Sequence, residues 1–178
     1  MNSITERMIR ASKLDVNLYE EVEADKTAMN QAVTVVVLSG LAAGIGSLGA
    51  LGIKGLLIGT VSALVGWFIW AYITYIVGTK LLPEPQTEAD YGQLLRTIGF
   101  SSAPGLIRVI GIIPFLYGIA TIVGGIWMLV AMVIAVRQAL DYKSTWRAVG
   151  VCIIGWIIQA IVMWLFFAIF GASPPASM

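Results

Sequence analysis

GFSSAPGLIRVIGIIPF, residues 99–115, is the stretch on which the fold turns. Almost every side chain in it belongs in hydrocarbon, yet Pro104 and Pro114 interrupt helices and Arg108 keeps its charge at any accessible pH. From Phe100 to Val136 the chain has 37 residues whose one charge is Arg108. As α-helix at ~1.5 Å per residue they reach about 55 Å, just short of two crossings of a ~30 Å hydrocarbon core before any turn is made. A span in this region must therefore start early, be short or be broken. Pro104 frees the carbonyl of Phe100 and Pro114 that of Ile110, and Pro114 with Gly118 suits a turn into the following span.

The flanking sequence is as apolar. Hydrophobic residues make up 58% and charged residues 12% of the chain, against about 45–50% and about 25% in soluble domains. With a mean hydropathy of +0.88, a bilayer is the expected solvent. Ala32 to Val77 carries a single charge, Lys54, near its middle, which predicts two spans joined at LGIKG. Gly40 with Gly44, and Gly55 with Gly59, have the GxxxG spacing that lets helix backbones approach closely, within the chain or across a dimer. Of Trp67, Trp70, Tyr72 and Tyr75, those nearer the end of the second span suit an interfacial aromatic belt.

Residues 78–98 form the long polar interruption. Pro83 and Pro85 mark a loop, and Asp90 is placed to cap a helix through Leu94, Leu95 and Ile98. A second polar connection, RQALDYKSTWR at 137–147, precedes a final helix from Ser144 to about Phe170. The expected fold is an all-α polytopic transmembrane bundle of five spans, the third short and proline-broken. A polar head occupies residues 1–30, the bundle 31–170, and an uncharged tail 171–178.

The head has no apolar core of the length a signal peptide needs. Ser3 and Glu6 fit a capping box, and Ile4, Met8, Ile9 and Leu14 share a helical face. Such a head either rests solvated on the membrane surface or docks a partner. Nine basic residues, in the head and in the two polar connections, fall on one side, against Lys54 on the other. That distribution predicts a cytoplasmic N-terminus and an extracytoplasmic C-terminus.

Arg108 is the one intramembrane charge, and no carboxylate lies in any predicted span. Such a residue is a functional candidate by default. Its candidate partners are the carbonyls freed by Pro104 and Pro114, Ser101, Ser102, Gln159, or a lipid phosphate. It either snorkels to a headgroup layer from a short span, contacts an anionic lipid or ligand, or meets a partner. Arg137, Asp141, Lys143 and Arg147 form a candidate surface for anionic headgroups or a cytoplasmic partner. Arg137 and Asp141 are also spaced for an ordinary i,i+4 ion pair. The loop acids Glu84, Glu88 and Asp90 are expected in solvent.

The chain has no histidine and one cysteine, Cys152. Histidine-based metal sites and catalytic triads are thereby removed, as is an internal disulfide. No cofactor is expected. A net charge of +1 gives no bias towards nucleic acid.

LYEEVEADKTA at 18–28, the glycine-rich first hairpin, LLRTIGFSSAPGLIRVIGIIPF at 94–115 and AVRQALDYKSTWRAVG at 135–150 resemble, in order and spacing, bacterial members of the Yip1 domain family over roughly residues 18–165. Gly99, Pro104, Pro114 and the Arg-Gln-Ala-Leu-Asp run at 137–141 carry the resemblance most strongly. It implies five transmembrane helices and a cytoplasmic N-terminus. Eukaryotic members act in membrane traffic with prenylated Rab-type GTPases and associate in hetero-oligomers. This chain lacks their DLYGP-type motif and has Phe100 where a tyrosine often follows the glycine. The expected function is non-enzymatic membrane organisation or partner scaffolding, with homo- or hetero-oligomers and anionic lipid headgroups as expected partners. Two alternatives stay open: a small transporter or lipid-handling protein using the break around Arg108, and an accessory subunit of a larger membrane complex.

Overall fold

The computed structural model describes residues 3–170, without the side chains of residues 50, 51, 54, 55, 58, 114, 162, 163 and 165–170. Lys54, the Gly55 half of the second glycine pair, the Pro114 ring and the 171–178 tail therefore lie outside the described residues. Every described element is helical. Two short helices form the head, α1 (Ile4–Ser12) and α2 (Val16–Ala24). Each starts on a side-chain cap: Ser3 Oγ accepts from the Glu6 amide at 3.2 Å and Asp15 from the Asn17 amide at 3.0 Å.

A 3₁₀ turn at Lys26–Ala28 leads into α3 (Met29–Gly46). The chain then turns at Ser47 into α4 (Leu48–Ile76), which is kinked at Gly52. Gly52 has φ 61°, a left-handed conformation that a Cβ would strain, so the turn predicted at LGIKG is made between Ser47 and this residue. A π-helical turn, Val77–Leu81, ends α4. α5 (Tyr91–Phe100) begins on the predicted Asp90 cap, which closes a capping box with Gln93.

The region of residues 99–115 differs from its expectation. Pro104 starts a 3₁₀ helix, Ala103–Ile112, in whose first turn its missing N–H leaves no bond unmade. A 3₁₀ helix advances ~2.0 Å per residue, so ten residues cover ~20 Å instead of the ~15 Å of an α-helix. The length shortage is met by starting at Tyr91 and by stretching after Ser102. A second short 3₁₀ turn, Pro114–Leu116, leads into α6 (Tyr117–Ala139), and α7 (Thr145–Phe170) starts directly after Ser144.

Close backbone approaches fix the order of the passes. Built at Gly40, a Cβ would stand 3.1 Å from that of Ala63; at Gly44, 2.8 Å from the Cα of Leu56; so α4 returns antiparallel to α3. Gly99 meets Ala32, Gly105 meets Ser39, and Gly111 meets Gly46, so α5 and the long 3₁₀ helix run parallel to α3. Gly124 of α6 lies against Ile107 and Arg108, and Gly155 of α7 against Trp70 and Ile73. The chain thus passes along the body five times in alternating directions, with both polar connections and the head at one end.

The passes are inside-out relative to a soluble protein. Val61, Val65, Phe68 and Ile69 of α4, Ile119, Ile122 and Ile126 of α6, and Ile153, Ile157 and Ile161 of α7 face outward. Small residues such as Ala32, Ala71, Ala131, Ala135 and Ala148 are fully buried. Hydrocarbon is the solvent in which this arrangement costs nothing. Among the described residues three helices are long and apolar enough to cross a membrane, Lys26–Gly46, Gly59–Leu81 and Tyr117–Ala139, and Thr145–Ile161 of α7 is a shorter apolar helix.

Candidate functional site

Inside the body, between α3, α4, α6, α7 and the third pass, lies a cavity of about 400 Å³. Ser39 comes from α3, Trp67 and Trp70 from α4, Ser101, Ser102 and Arg108 from the third pass, Met128 and Met132 from α6, and Trp156 from α7. Ser39 stands ten residues beyond Met29, about 15 Å along the helix at ~1.5 Å per residue. The Arg108 guanidinium therefore lies beside the middle of α3, while its backbone packs against Gly46 at the end of that helix. Its Nη2 donates to Ser39 Oγ at 3.2 Å and its Nε to the Gly105 carbonyl at 3.2 Å. A guanidinium has five N–H donors, and among the described residues Arg108 makes no ion pair. Inserting an arginine at the centre of a helix costs about 2.5–3.5 kcal/mol on translocon scales, and two neutral acceptors offset only part of that.

The glycines let this side chain fit. A Cβ on Gly105 would collide with Ser39 Oγ and Met128, and one on Gly124 would stand 2.9 Å from Arg108 Cγ. The rest of the polar lining is short of acceptors. Ser101 Oγ donates to the Ile98 carbonyl at 2.7 Å and Trp67 Nε1 to the Leu95 carbonyl at 3.0 Å. Trp70 is 8% exposed, and its indole N–H has no partner among the described residues. Gln159, expected near Arg108, neither bonds it nor lines the cavity.

At the charged end, the head packs on the bundle instead of resting in solvent. Ala11, Leu18, Tyr19 and Val22 are fully buried. Arg7, 6% exposed, is the hub: it donates to Glu21 at 2.9 Å, to Gln31 of α3 at 3.0 Å and to Asp25 at 2.8 Å. Arg10 adds bonds to Asp15 at 2.8 Å and Glu21 at 2.6 Å. The hydroxyl of Thr27, then the guanidinium of Arg7, hold the Asp25 carboxyl down at about 2. Arg96, buried in α5, donates to the Val22 carbonyl at 2.9 Å and to that of Glu23, which satisfies the last turn of α2. Trp127 donates to the Ser12 carbonyl at 2.9 Å and Gln138 to Glu20 at 2.8 Å. Glu23 is caught in this joint. Burial, with Asp141 nearby, raises its carboxyl to about 7.

The candidate basic surface is largely used internally. Arg137 donates to the Tyr142 and Lys143 carbonyls and to Thr145, and Arg147 donates to the Leu82 and Pro83 carbonyls and pairs with Glu84 at 3.4 Å. Lys143 is tied through its amide, which donates to Glu84 at 3.2 Å. The ion pair expected between Arg137 and Asp141 is absent, because α6 ends at Ala139 and Asp141 turns at φ 53°. Tyr142 closes the joint: its hydroxyl oxygen stands 2.9 and 2.7 Å from the Gly78 and Leu82 carbonyls and donates its one proton between them.

Of the other candidates, Gly99 packs on Ala32 and Pro104 is buried beside it in the third pass. Pro114 heads the turn into α6. The Gly40 and Gly44 pair serves packing within the chain, whereas a Cβ at Gly59 would meet nothing within 4 Å in the chain. Ser39 and Trp70 are cavity residues that sequence reasoning missed. A family model for the Yip1 domain matches residues 19–167, from the second helix of the head into the end of α7. No curated protein matches the chain, and no solved structure does. With that match covering most of its length, and with apolar helices of spanning length beneath it, the chain belongs to the Yip1 domain family of integral membrane proteins.

Proposed function

We propose that all five passes cross the bilayer, with the head cytoplasmic and the C-terminus extracytoplasmic, and that the protein acts without catalysis as a membrane-organising scaffold. One observation carries the reading: at one end of the bundle the head is bonded to α3, α5 and α6, and residues 82–90 are bonded to residues 140–144, so that the polar segments there are held in place. A face ordered in advance spares a partner the entropy of fixing loose segments. Asn17, Lys26 and Lys143 are exposed on it.

Photo-crosslinking groups at Asn17, Lys26 and Lys143, in the full chain in native membranes, test the scaffold. A shared discrete adduct is expected from all three, absent from Phe115 at the other end and reduced in Arg7→Ala, where the hub of the head is lost. Adducts from none of the three, or equally from Phe115, would sink the proposal.

A further inference from the structure

The cavity around Arg108 has the composition of a receptor for an anion with an apolar tail. Among the described residues, Arg108 is its one charge, no acidic side chain lines it, and most of the Arg108 guanidinium N–H groups have no acceptor. Trp70 contributes an aromatic wall, while its indole N–H is shut off from the cavity and has no acceptor among the described residues. Buried donors without partners are uncommon in native proteins, and those of Arg108 point to a group that completes them. The remaining wall, including Val36, Leu129 and Met132, is apolar. Its volume falls within the ~300–1,000 Å³ usual for small-molecule sites.

The lining also reaches the outer surface. Gly125 of α6 and Trp156 of α7 both line the cavity and are exposed, Trp156 by 50%. The side doorway therefore lies between two helices whose outer faces are apolar, where bilayer lipid is the adjoining phase and free aqueous anions are scarce. We infer that the cavity binds the anionic group of a bilayer amphiphile, a phosphate or carboxylate paired with Arg108, whose hydrocarbon chain leaves between α6 and α7. The guanidinium suits such a ligand because its fork donates two parallel bonds to either group.

The test is lipid retention by the full-length protein, measured by native mass spectrometry after equal loading with phosphatidylglycerol or phosphatidylcholine. Wild type should retain the anionic lipid selectively. Arg108→Gln should lower that retention about tenfold or more, the loss of a charge-assisted pair. Arg108→Lys should keep most of the selectivity. If Arg108→Gln fails to fold, Gly66→Leu decides: a Cβ at Gly66 meets nothing within 4 Å, so the side chain fills the cavity and leaves Arg108 in place. Loss of retention in this variant supports the site. Equal retention of the two lipids, or no change in either Arg108→Gln or Gly66→Leu, overturns it. Displacement by excess inorganic phosphate with no retained lipid overturns it too, since the occupant would then be a free anion.

Discussion

Glu23 and Arg7 show at single residues how the head is held. Arg7 faces acids partly open to solvent; the Thr27 hydroxyl and then Arg7 lower Asp25 to about 2, which keeps the pair ionised at neutral pH. Glu23 is displaced the opposite way, to about 7. An acid whose folded value is raised favours the docked head fully below its unfolded value of about 4.5, and that contribution fades as pH rises through 7. Head docking should therefore strengthen on acidification from pH 8 to pH 5. Glu23→Gln should be more stable than wild type at pH 8, on the order of 1–2 kcal/mol after allowance for partial exposure, and equal to it below the unfolded value. Hydrogen exchange across α2 at several pH values measures this, and a pH-independent difference between the two proteins would refute the assignment. Asp25 has the reverse sign: its contribution is present above 3.8 and disappears as pH falls through 2. Arg108 was legible in the sequence because a lone charge in apolar surroundings needs no fold to be noticed. Ser39 and Trp70 were not, because Ser39 lies 69 residues away and a tryptophan in the second span suits an interfacial belt equally well.

Among the elements, the third pass best separates what pattern can and cannot predict. Its length shortage is plain from residue counting, but the 3₁₀ remedy depends on tertiary contact. Gly46, Gly105 and Gly124 let α3 and α6 crowd a backbone that hydrogen bonding alone does not favour over so many residues. Spacing alone does not separate Gly44, which packs on α4, from Gly59, which meets nothing within the chain, since GxxxG records where small residues recur and not which face meets a neighbour. Gly44→Leu should destabilise the protein by about 1–3 kcal/mol, the cost of forcing a side chain into the α4 backbone. Gly59→Leu should be neutral or gain up to about 1 kcal/mol of helix preference, because its Cβ meets nothing within 4 Å. Thermal melting in detergent compares the two. Equal losses would mean that α3 and α4 do not meet as described.

At the scale of the whole molecule, alternation of the passes is what connects the cavity to the polar face. Arg108 is reached from the same strand of chain that begins at Asp90 beneath the head, and α6 returns from that cavity to Gln138 on the head. The positive charges gather at this one end, so crossing number and orientation are a single question: an odd number of crossings from a cytoplasmic head leaves the turns at Ile53 and Phe115 outside. Both residues are strongly exposed, by 74% and 77%. In a Cys152→Ala background, which removes the only native thiol, single cysteines at Ile53 and Phe115 should react with a membrane-impermeant maleimide in intact cells. Cysteines at Lys26 and Lys143 should react only after the membrane is opened. If the third pass instead turned back within the bilayer, Phe115 would stay protected along with the head positions, and the cavity around Arg108 would have to be filled from the cytoplasmic leaflet.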